Sequence, residues 1–449
     1  MLLVWRNQIY GAGLAGCEAA WQAAERGVSV RLYEMKPKKK SPAHHADTFA
    51  ELVCSNSLRS AEFTNAAGLL KEEMRRLGSL IMEACGKTGV SAGGAVAVDR
   101  ELFSGYITDK IRSHPNITVI EEEMTEIPED EITVIATGPL TSDALAQTIR
   151  ERTGGRRLSF YDAAAPIVDF DSIDMDKAFF ATRYDKGDPD YINCPMTEAE
   201  YKAFYEALRT AETAPLHDFD APDAPTNEKL TVFEGCMPVE VMAERGEDTL
   251  RYGPMKPVGI RNPKTGEEYY AIVQLRRENE RGSMFNMVGF QTHLTFPEQR
   301  RVFRMIPGLE NAVFLRYGVM HRNTFLASPE LLDADYSLRD NHNIYFAGQM
   351  TGVEGYIESA ASGFVAGLNA ACRAMGREPY LFPEETMIGA MAWYISHGDQ
   401  TQFQPMNANF GIIAPLAAKV RGGKRAIKEA YAARALAMTD EIAKQIRAL

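Results

Sequence analysis

Residues 8–34, QIYGAGLAGCEAAWQAAERGVSVRLYE, decide the fold of this chain. Gly11, Gly13 and Gly16 form a G-x-G-x-x-G motif that leads into a helical pattern and then into a strand. These glycines let the backbone approach a pyrophosphate at the helix N-terminus, and Glu34, eighteen residues after Gly16, is spaced to bond ribose hydroxyls. The stretch therefore predicts a βαβ unit that binds a dinucleotide, without distinguishing flavin from nicotinamide.

The residues just before the motif fit this prediction less well. A first strand of this kind is normally buried on both faces and apolar, whereas Arg6, Asn7 and Gln8 are polar. We expect either a short strand that is polar at its start or an N-terminus that departs from the usual form.

Two further apolar runs also end at glycine. They are residues 133–139, TVIATGP, and residues 343–349, NIYFAGQ, and a helical pattern over residues 357–375 follows the second. Three strands of one sheet that each end at a glycine indicate a shared binding site rather than three ordinary loops. If the dinucleotide is a flavin, the N-terminus of the last helix could face its electron-rich end. The residues predicted to bind the dinucleotide are Gly11, Gly13, Leu14, Ala15, Gly16, Glu34, Thr137, Gly138, Gly348, Gln349 and Gly352.

The late return of a strand and its helix predicts a split cofactor domain. The pattern resembles FAD-dependent proteins of the glutathione-reductase type, so we predict an α/β fold with a Rossmann domain interrupted by an inserted mixed α/β domain. The predicted boundaries are 1–160 for the first part of the FAD-binding domain, 161–320 for the inserted substrate domain, 321–380 for the return segment and 381–449 for a helical C-terminal region.

Composition excludes several classes of protein. With 449 residues, 45% hydrophobic and 24% charged, the chain is neither disordered nor a small disulfide scaffold. Its six cysteines lie far apart without a C-x-x-C pair, so neither a disulfide framework nor a metal site is predicted. A signal-peptide pattern and long apolar runs are missing, which predicts a cytoplasmic protein without a membrane partner. The net charge of -12 argues against indiscriminate nucleic-acid binding but allows a local basic face for one RNA.

Six blocks, in chain order, resemble one enzyme family. They are GAGLAGCEAAWQAAERGVSVRLYEM, AELVCSNSLRS, YINCPM, VFEGCMPVE, RYGPMKPVG and YFAGQMTGVEGYIESAASG. Together they make the chain similar to the bacterial folate- and FAD-dependent tRNA (uracil-5-)-methyltransferases, from Gly11 to the C-terminus.

The resemblance implies a reaction and two catalytic cysteines. In the family, FAD takes a one-carbon unit from methylenetetrahydrofolate and passes it to carbon 5 of the T-loop uridine of tRNA, while NADH or NADPH reduces the flavin. Carbon 5 of uracil is a poor nucleophile, so a thiolate must first add to carbon 6. Cys236 matches the uridine nucleophile, and Cys54 matches a second cysteine near the flavin that holds the methylene or assists proton transfer. A buried, inert thiol is the competing interpretation of each, and the motif context favours catalysis.

Other polar and aromatic residues carry weaker signals. We interpret Cys17, Cys85 and Cys372 as core residues and expect Cys194 to have a folding or substrate-packing role rather than a catalytic one. His44 and His45 belong either to the flavin pocket or to a polar loop. Basic clusters that could converge on phosphates are Lys36 with Lys38, Lys39 and Lys40, Arg276 with Arg277 and Arg281, Arg300 with Arg301 and Arg304, and Lys419 with Arg421, Lys424, Arg425 and Lys428. Aromatic residues that could stack on a base, although core packing is the commoner use, are Tyr252, Phe285, Phe290 and Tyr317.

Four alternatives to tRNA methylation stay open at this stage. One is the same chemistry on 23S ribosomal RNA, and another is the installation of aminomethyl groups at the anticodon wobble base. A third is a tRNA-binding flavoprotein in which FAD is structural. A generic flavin oxidoreductase is the fourth, and it lacks the C-x-x-C redox pair. No obligatory protein partner is predicted.

Overall fold

The computed structural model describes residues 6–41, 43–155, 157–163, 165–185, 188–214, 237–318, 320–400, 403–418 and 420–449. Two residues singled out above, Cys236 and Lys419, lie outside these ranges.

The chain alternates strands and helices in its first third and becomes helical at its end. The strands are β1 (Arg6–Tyr10), β2 (Ser29–Tyr33), β3 (Ser57–Ser60), β4 (Gly89–Val90), β5 (Ala95–Val98), β6 (Ile117–Ile120), β7 (Thr133–Ile135), β8 (Arg157–Ala163), β9 (Ile167–Asp169), β10 (Phe179–Phe180), β11 (Tyr191–Met196), β12 (Ala271–Arg277), β13 (Met284–Met287), β14 (Phe314–Arg316), β15 (Met320–Leu326), β16 (Ser337–Leu338) and β17 (Asn341–Phe346). The helices are α1 (Leu14–Ala24), α2 (Ala66–Leu77), α3 (Leu80–Lys87), α4 (Arg100–Ser113), α5 (Asp143–Arg152), α6 (Glu198–Arg209), α7 (Val239–Glu244), α8 (Thr249–Tyr252), α9 (Phe296–Phe303), α10 (Ser328–Leu331), α11 (Tyr356–Ala374), α12 (Met387–His397) and α13 (Gly423–Arg447).

A six-stranded sheet of order β16-β17-β7-β1-β2-β6 forms around the predicted βαβ unit. Strand β1 runs parallel to β2 and β7, and β17 joins the other side of β7, also in parallel. Strand β17, which comes late in the chain, thus joins the same sheet as β1 and β2. The predicted α/β class with a Rossmann-like parallel sheet is confirmed.

Strand β1 is central although its sequence is polar. Asn7 and Gln8 are buried. The Gln8 amide donates to the Glu131 carboxylate, and the Tyr10 hydroxyl donates to Gln8 Oε1 at 3.1 Å. No hydrogen-bond partner for the Asn7 amide lies among the described residues. The strand forms because both neighbours pair with its backbone and because Ile9 and Tyr10 are buried. The structure therefore agrees with the first of the two expectations for the N-terminus, a short strand that is polar at its start.

A second sheet and core occupy the middle of the chain. Six antiparallel strands are ordered β10-β11-β12-β13-β9-β14, and α6, α7 and α9 pack with them around a separate hydrophobic cluster. Strands β8 and β15, which lie on either side of this unit in sequence, pair as an antiparallel ribbon. We call the parallel sheet with its helices the first unit, and the antiparallel sheet with α6, α7 and α9 the inserted unit. The chain therefore leaves the first unit along β8 and returns to it along the neighbouring strand β15.

The C-terminal helices belong to the core of the first unit. Helices α12 and α13 both pack on α2, and their buried residues join the cluster that contains β1 and α1. Among the described residues, no helix combines the length and apolarity needed to cross a membrane.

Helix α11 crosses α1 so closely that two of its positions have no room for a side chain. A Cβ atom added at Gly363 would lie 2.2 Å from the Ala15 carbonyl oxygen, and one at Gly367 would lie 2.4 Å from Ala19 Cα. Backbone atoms cannot move aside as a flexible side chain does. The crossing therefore requires glycine at both positions.

We expect Gly363→Ala to lower the free energy of unfolding by about 1–3 kcal/mol, because the new methyl group forces α1 and α11 apart. The measurement is the melting temperature in thermal unfolding. Gly105→Ala is the matched control, since a Cβ at this position in α4 has no neighbour within 4 Å. Equal melting temperatures for the two variants would contradict the packing argument.

Candidate functional site

A cleft opens where the parallel strands of the first sheet end. Its walls come from the segments that follow β1, β2, β6, β7 and β17. Most of the predicted cofactor residues line it, namely Gly11, Gly13, Leu14, Ala15, Glu34, Thr137, Gly138, Gly348 and Gln349. Gly16 and Gly352 are not among the described lining residues. The sheet thus brings together residues from three distant parts of the sequence.

The glycine turn between β1 and α1 has crowded and open positions. Gly11 has a φ of +90°, and a Cβ there would lie 2.8 Å from the Ala136 carbonyl oxygen. At Gly16 it would lie 1.8 Å from the Gly11 carbonyl oxygen, whereas at Gly13 it would meet no protein atom within 4 Å. Gly13 begins α1 without a side-chain cap, and the first turn of the helix carries no acidic residue. The open space in front of this helix end fits a pyrophosphate.

Glu34 is fixed at the end of β2 by two backbone donors. Its carboxylate accepts the Ala12 N–H at 2.7 Å and the Lys36 N–H at 3.0 Å. Each carboxylate oxygen keeps a further lone pair. Glu34 also lines the cleft, so this carboxylate can accept hydrogen bonds from ribose hydroxyls, the role that its spacing predicts.

The opposite wall is built by the loops after β7 and β17. The Thr141 hydroxyl lies 2.6 Å from that of Thr137 and donates to the Gly138 carbonyl oxygen at 2.8 Å. Gly348, with a φ of +84°, donates its N–H to the Ser362 hydroxyl at 2.7 Å. These hydrogen bonds fix both loops at the edge of the cleft. Gly138 and Gly348 place no side chain in the space between them.

The half-buried residue Cys54 lies on a loop beside the cleft. The hydroxyl oxygen of Tyr356, a cleft residue at the start of α11, accepts the N–H groups of Cys54 at 2.7 Å and Ser55 at 3.1 Å. Desolvation raises the pKa of Tyr356, so its hydroxyl stays protonated. Arg100 donates to the Cys54 carbonyl oxygen at 3.2 Å, and Arg276 donates to the Ser55 hydroxyl at 2.5 Å. The loop is thereby held by residues of both units.

The other described cysteines are buried. Burial raises the pKa values of Cys17, Cys85 and Cys194, and that of Cys85 reaches about 12. Burial also raises the pKa of Cys372. These thiols stay neutral and pack in the cores, which agrees with the interpretation of Cys17, Cys85 and Cys372 from sequence and, for Cys194, with the folding role rather than with substrate packing.

The remaining polar and aromatic residues divide between site and core. His44 lines the cleft with its Nδ1 atom 2.6 Å from the Ser41 hydroxyl, and burial followed by the Lys36 cation lowers its pKa. Phe285 and Phe290 are core residues, as their commoner use predicts. Tyr252 is exposed, and Tyr317 stacks on Phe296.

Sequence reasoning missed the residues that hold the Cys54 loop. Tyr356 was visible within the block YFAGQMTGVEGYIESAASG but had no assigned role, and Arg276 was visible within a basic cluster that was considered for binding phosphates rather than this loop. Arg100 and Arg316 carried no signal, because they bond main-chain carbonyl groups that no motif records.

Comparison with known proteins finds relatives that are similar to this chain over nearly its whole length. Residues 8–378 match the family described as Glucose inhibited division protein A. The methylenetetrahydrofolate–tRNA-(uracil-5-)-methyltransferase TrmFO of Bacillus licheniformis is 57% identical over 98% of this chain and 99% of its own length. TrmFO of Ligilactobacillus salivarius is 60% identical over 92% of this chain and 93% of its own. Among solved structures, Aquifex aeolicus GidA is similar, with a TM-score of 0.69, 17% identity, and coverage of 100% of this chain and 75% of GidA, which shows the shared fold.

We expect Gly13→Ala to fold normally but to bind FAD at least about tenfold more weakly, because the methyl group meets no protein atom and enters the space in front of α1. The measurements are flavin content and melting temperature. Gly16→Ala is the contrasting variant, since its clash with the Gly11 carbonyl group should lower both quantities. Full flavin content in Gly13→Ala would contradict the placement of the FAD pyrophosphate in front of this turn.

Proposed function

Since this chain belongs to the Glucose inhibited division protein A family and, within it, to the methylenetetrahydrofolate–tRNA-(uracil-5-)-methyltransferases, we propose that it methylates carbon 5 of uridine in the T-loop of tRNA. The methyl carbon comes from methylenetetrahydrofolate, and NADH or NADPH is the reductant. An enzyme that modifies tRNA acts where tRNA is, so we place it in the cytoplasm.

One observation in the structure carries the proposal. The loop that holds Cys54 is bonded on one side to Tyr356 of the cleft and on the other to Arg276 of the inserted sheet. A uracil held between the two units would therefore lie beside both the dinucleotide site and a thiol.

The cleft fits FAD by three features: the open space before α1, the fixed Glu34 carboxylate and the loops at Gly138 and Gly348. FAD bound there supplies the redox chemistry that converts a one-carbon unit into a methyl group. The residues of the chain bind this cofactor, orient it and keep Cys54 at its side.

The two cysteines divide the work on uracil. Addition of a thiolate to carbon 6 makes an enolate whose carbon 5 attacks the one-carbon electrophile, and we assign this addition to Cys236. The proton on carbon 5 must then leave before the thiolate is expelled, and a hydride that derives from NADH or NADPH reduces the resulting exocyclic methylene to the methyl group. We assign Cys54 either to the removal of this proton or to the preceding step, as the holder of the one-carbon unit.

We expect Cys54→Ala to retain FAD and lose 5-methyluridine formation by at least about 100-fold, because removing a general base or nucleophile costs this much or more. The measurement is 5-methyluridine in tRNA transcripts, by nucleoside mass spectrometry. Cys85→Ala is the matched control, since its thiol is buried in another part of the core. Wild-type activity in Cys54→Ala would exclude that residue from the reaction.

We propose that the stacked rings of Phe296, which is exposed, and Tyr317, which is half-buried, bind a base of the tRNA. Phe296 is half exposed and stacks on Tyr317 with ring centroids 4.7 Å apart and planes at 16°. Arg300 donates to the Tyr317 hydroxyl at 2.7 and 3.1 Å. Stacked rings edged by a guanidinium group suit an unpaired base, and Arg316, next to Tyr317, reaches the Cys54 loop at Val53.

We expect Phe296→Ala to weaken tRNA binding by about five- to hundredfold, since stacking on one aromatic ring contributes about 1–3 kcal/mol per base. The KM for tRNA should rise while flavin content and kcat stay near wild type. Trp393→Ala is the control, because it removes an exposed ring that stacks on His397 within α12, outside the residues proposed to bind RNA. An unchanged KM in Phe296→Ala would assign the stack to packing alone.

A further inference from the structure

The Cys54 loop lies among buried charges contributed by both units of the chain. Arg100, at the start of α4, bonds Glu278 at 2.5 Å, and Glu278 is only 1% exposed. Arg276 of β12 donates to Asn56 at 3.1 Å and to Ser55. Three arginines, the third of which is Arg316, face this loop, and Glu278 is the carboxylate that forms an ion pair with one of them among the described residues.

Among the described residues, neither Arg276 nor Arg316 forms an ion pair with a carboxylate. Arg316 donates to the neutral carbonyl oxygen of Val53. Burial lowers the pKa of Arg316, and the nearby Arg100 cation lowers it further. The anionic forms of Cys54, Tyr356 and Glu278 act on it in the opposite direction. Placing a second guanidinium group beside Arg100 costs free energy, and a nearby anion would offset that cost.

Cys54 is the group that can supply this anion when it is needed. A thiolate is stabilised by cations within a few ångströms, and both Arg100 and Arg316 interact electrostatically with Cys54. Tyr356 stays neutral because of its raised pKa, and Glu278 is already paired with Arg100. The other charged groups described on the elements around the loop and the cleft are Asp99, Glu280, Arg277, Arg59, Glu358, Glu51, Glu34, Glu122, Glu123, His44 and Lys36.

We propose, on the basis of the role assigned to Cys54 under the proposed function, that Arg316 of the inserted unit is a positioning residue that stabilises the thiolate of Cys54. Its guanidinium group orients the loop through Val53 and supplies positive charge to the thiol. Formation of the Cys54 thiolate then depends on the inserted unit packing beside the cleft. The contact between Arg316 and Val53 thus makes both units part of one site.

The test is the pH dependence of Cys54 alkylation by iodoacetamide in the FAD-loaded protein, followed by mass spectrometry of the Cys54 peptide. We expect the midpoint for wild type to lie below the ordinary cysteine value of about 8.5, and Arg316→Gln to raise it by about one pH unit. Arg316→Lys should restore at least half of the shift. Arg304→Gln is the matched control, because it also removes a guanidinium group bonded to a main-chain carbonyl, that of Ala312.

The outcomes separate this proposal from the one on which it rests. A wild-type midpoint at or above the ordinary value overturns the role of Arg316 even if Arg316→Gln fails to fold. An unchanged midpoint in a folded, flavin-containing Arg316→Gln overturns it as well. Full methylation by Cys54→Ala would instead refute the proposed function of Cys54 and leave the alkylation result standing. In support, the methylation rate of Arg316→Gln should fall at neutral pH and recover at higher pH.

Discussion

The first turn of α1 is enclosed by main-chain atoms on two sides, and the cleft depends on this close packing. Gly16 lies against the carbonyl group of Gly11, and Gly363 of α11 lies against Ala15. Because α11 follows β17, the contact fixes this late strand and helix against the N-terminal βαβ unit. Gly348 reaches the same cleft as Gly11 for this reason, and a larger residue in either helix would separate the walls.

The same packing determines where Cys54 lies. Tyr356 begins α11 and accepts two N–H groups from the loop, so the position of the helix is transmitted to the thiol. Arg276 and Arg316 bond the loop from the inserted unit. A loop with little regular structure is thus fixed from both sides. This arrangement suits chemistry that needs a cofactor and a nucleic acid base to meet at one cysteine.

The glycine spacing and the strand ends could be predicted because backbone constraints leave a local trace in the sequence. Gly11 and Gly348 both follow strands and both have positive φ. The polarity of β1 was harder to interpret, because the burial of Asn7 depends on neighbours distant in the chain. The bonds from Arg100 and Arg316 to the Cys54 loop could not be predicted, since a guanidinium group that bonds a carbonyl oxygen selects no residue type in its partner. The assignment of Cys236 stays a prediction from resemblance.

The net charge of the protein does not determine the electrostatic potential at the site. The chain carries a net -12, and exposed lysines beside the cleft form ion pairs, as Lys39 does with Glu123. Such pairs cancel their own fields in water. Arg316 differs because its partner is a neutral carbonyl group in a partly desolvated seam, where its charge remains effective over a longer range. A carbonyl-bonded arginine therefore keeps positive potential at the place where the proposed reaction generates a thiolate and an enolate, although the rest of the surface is acidic.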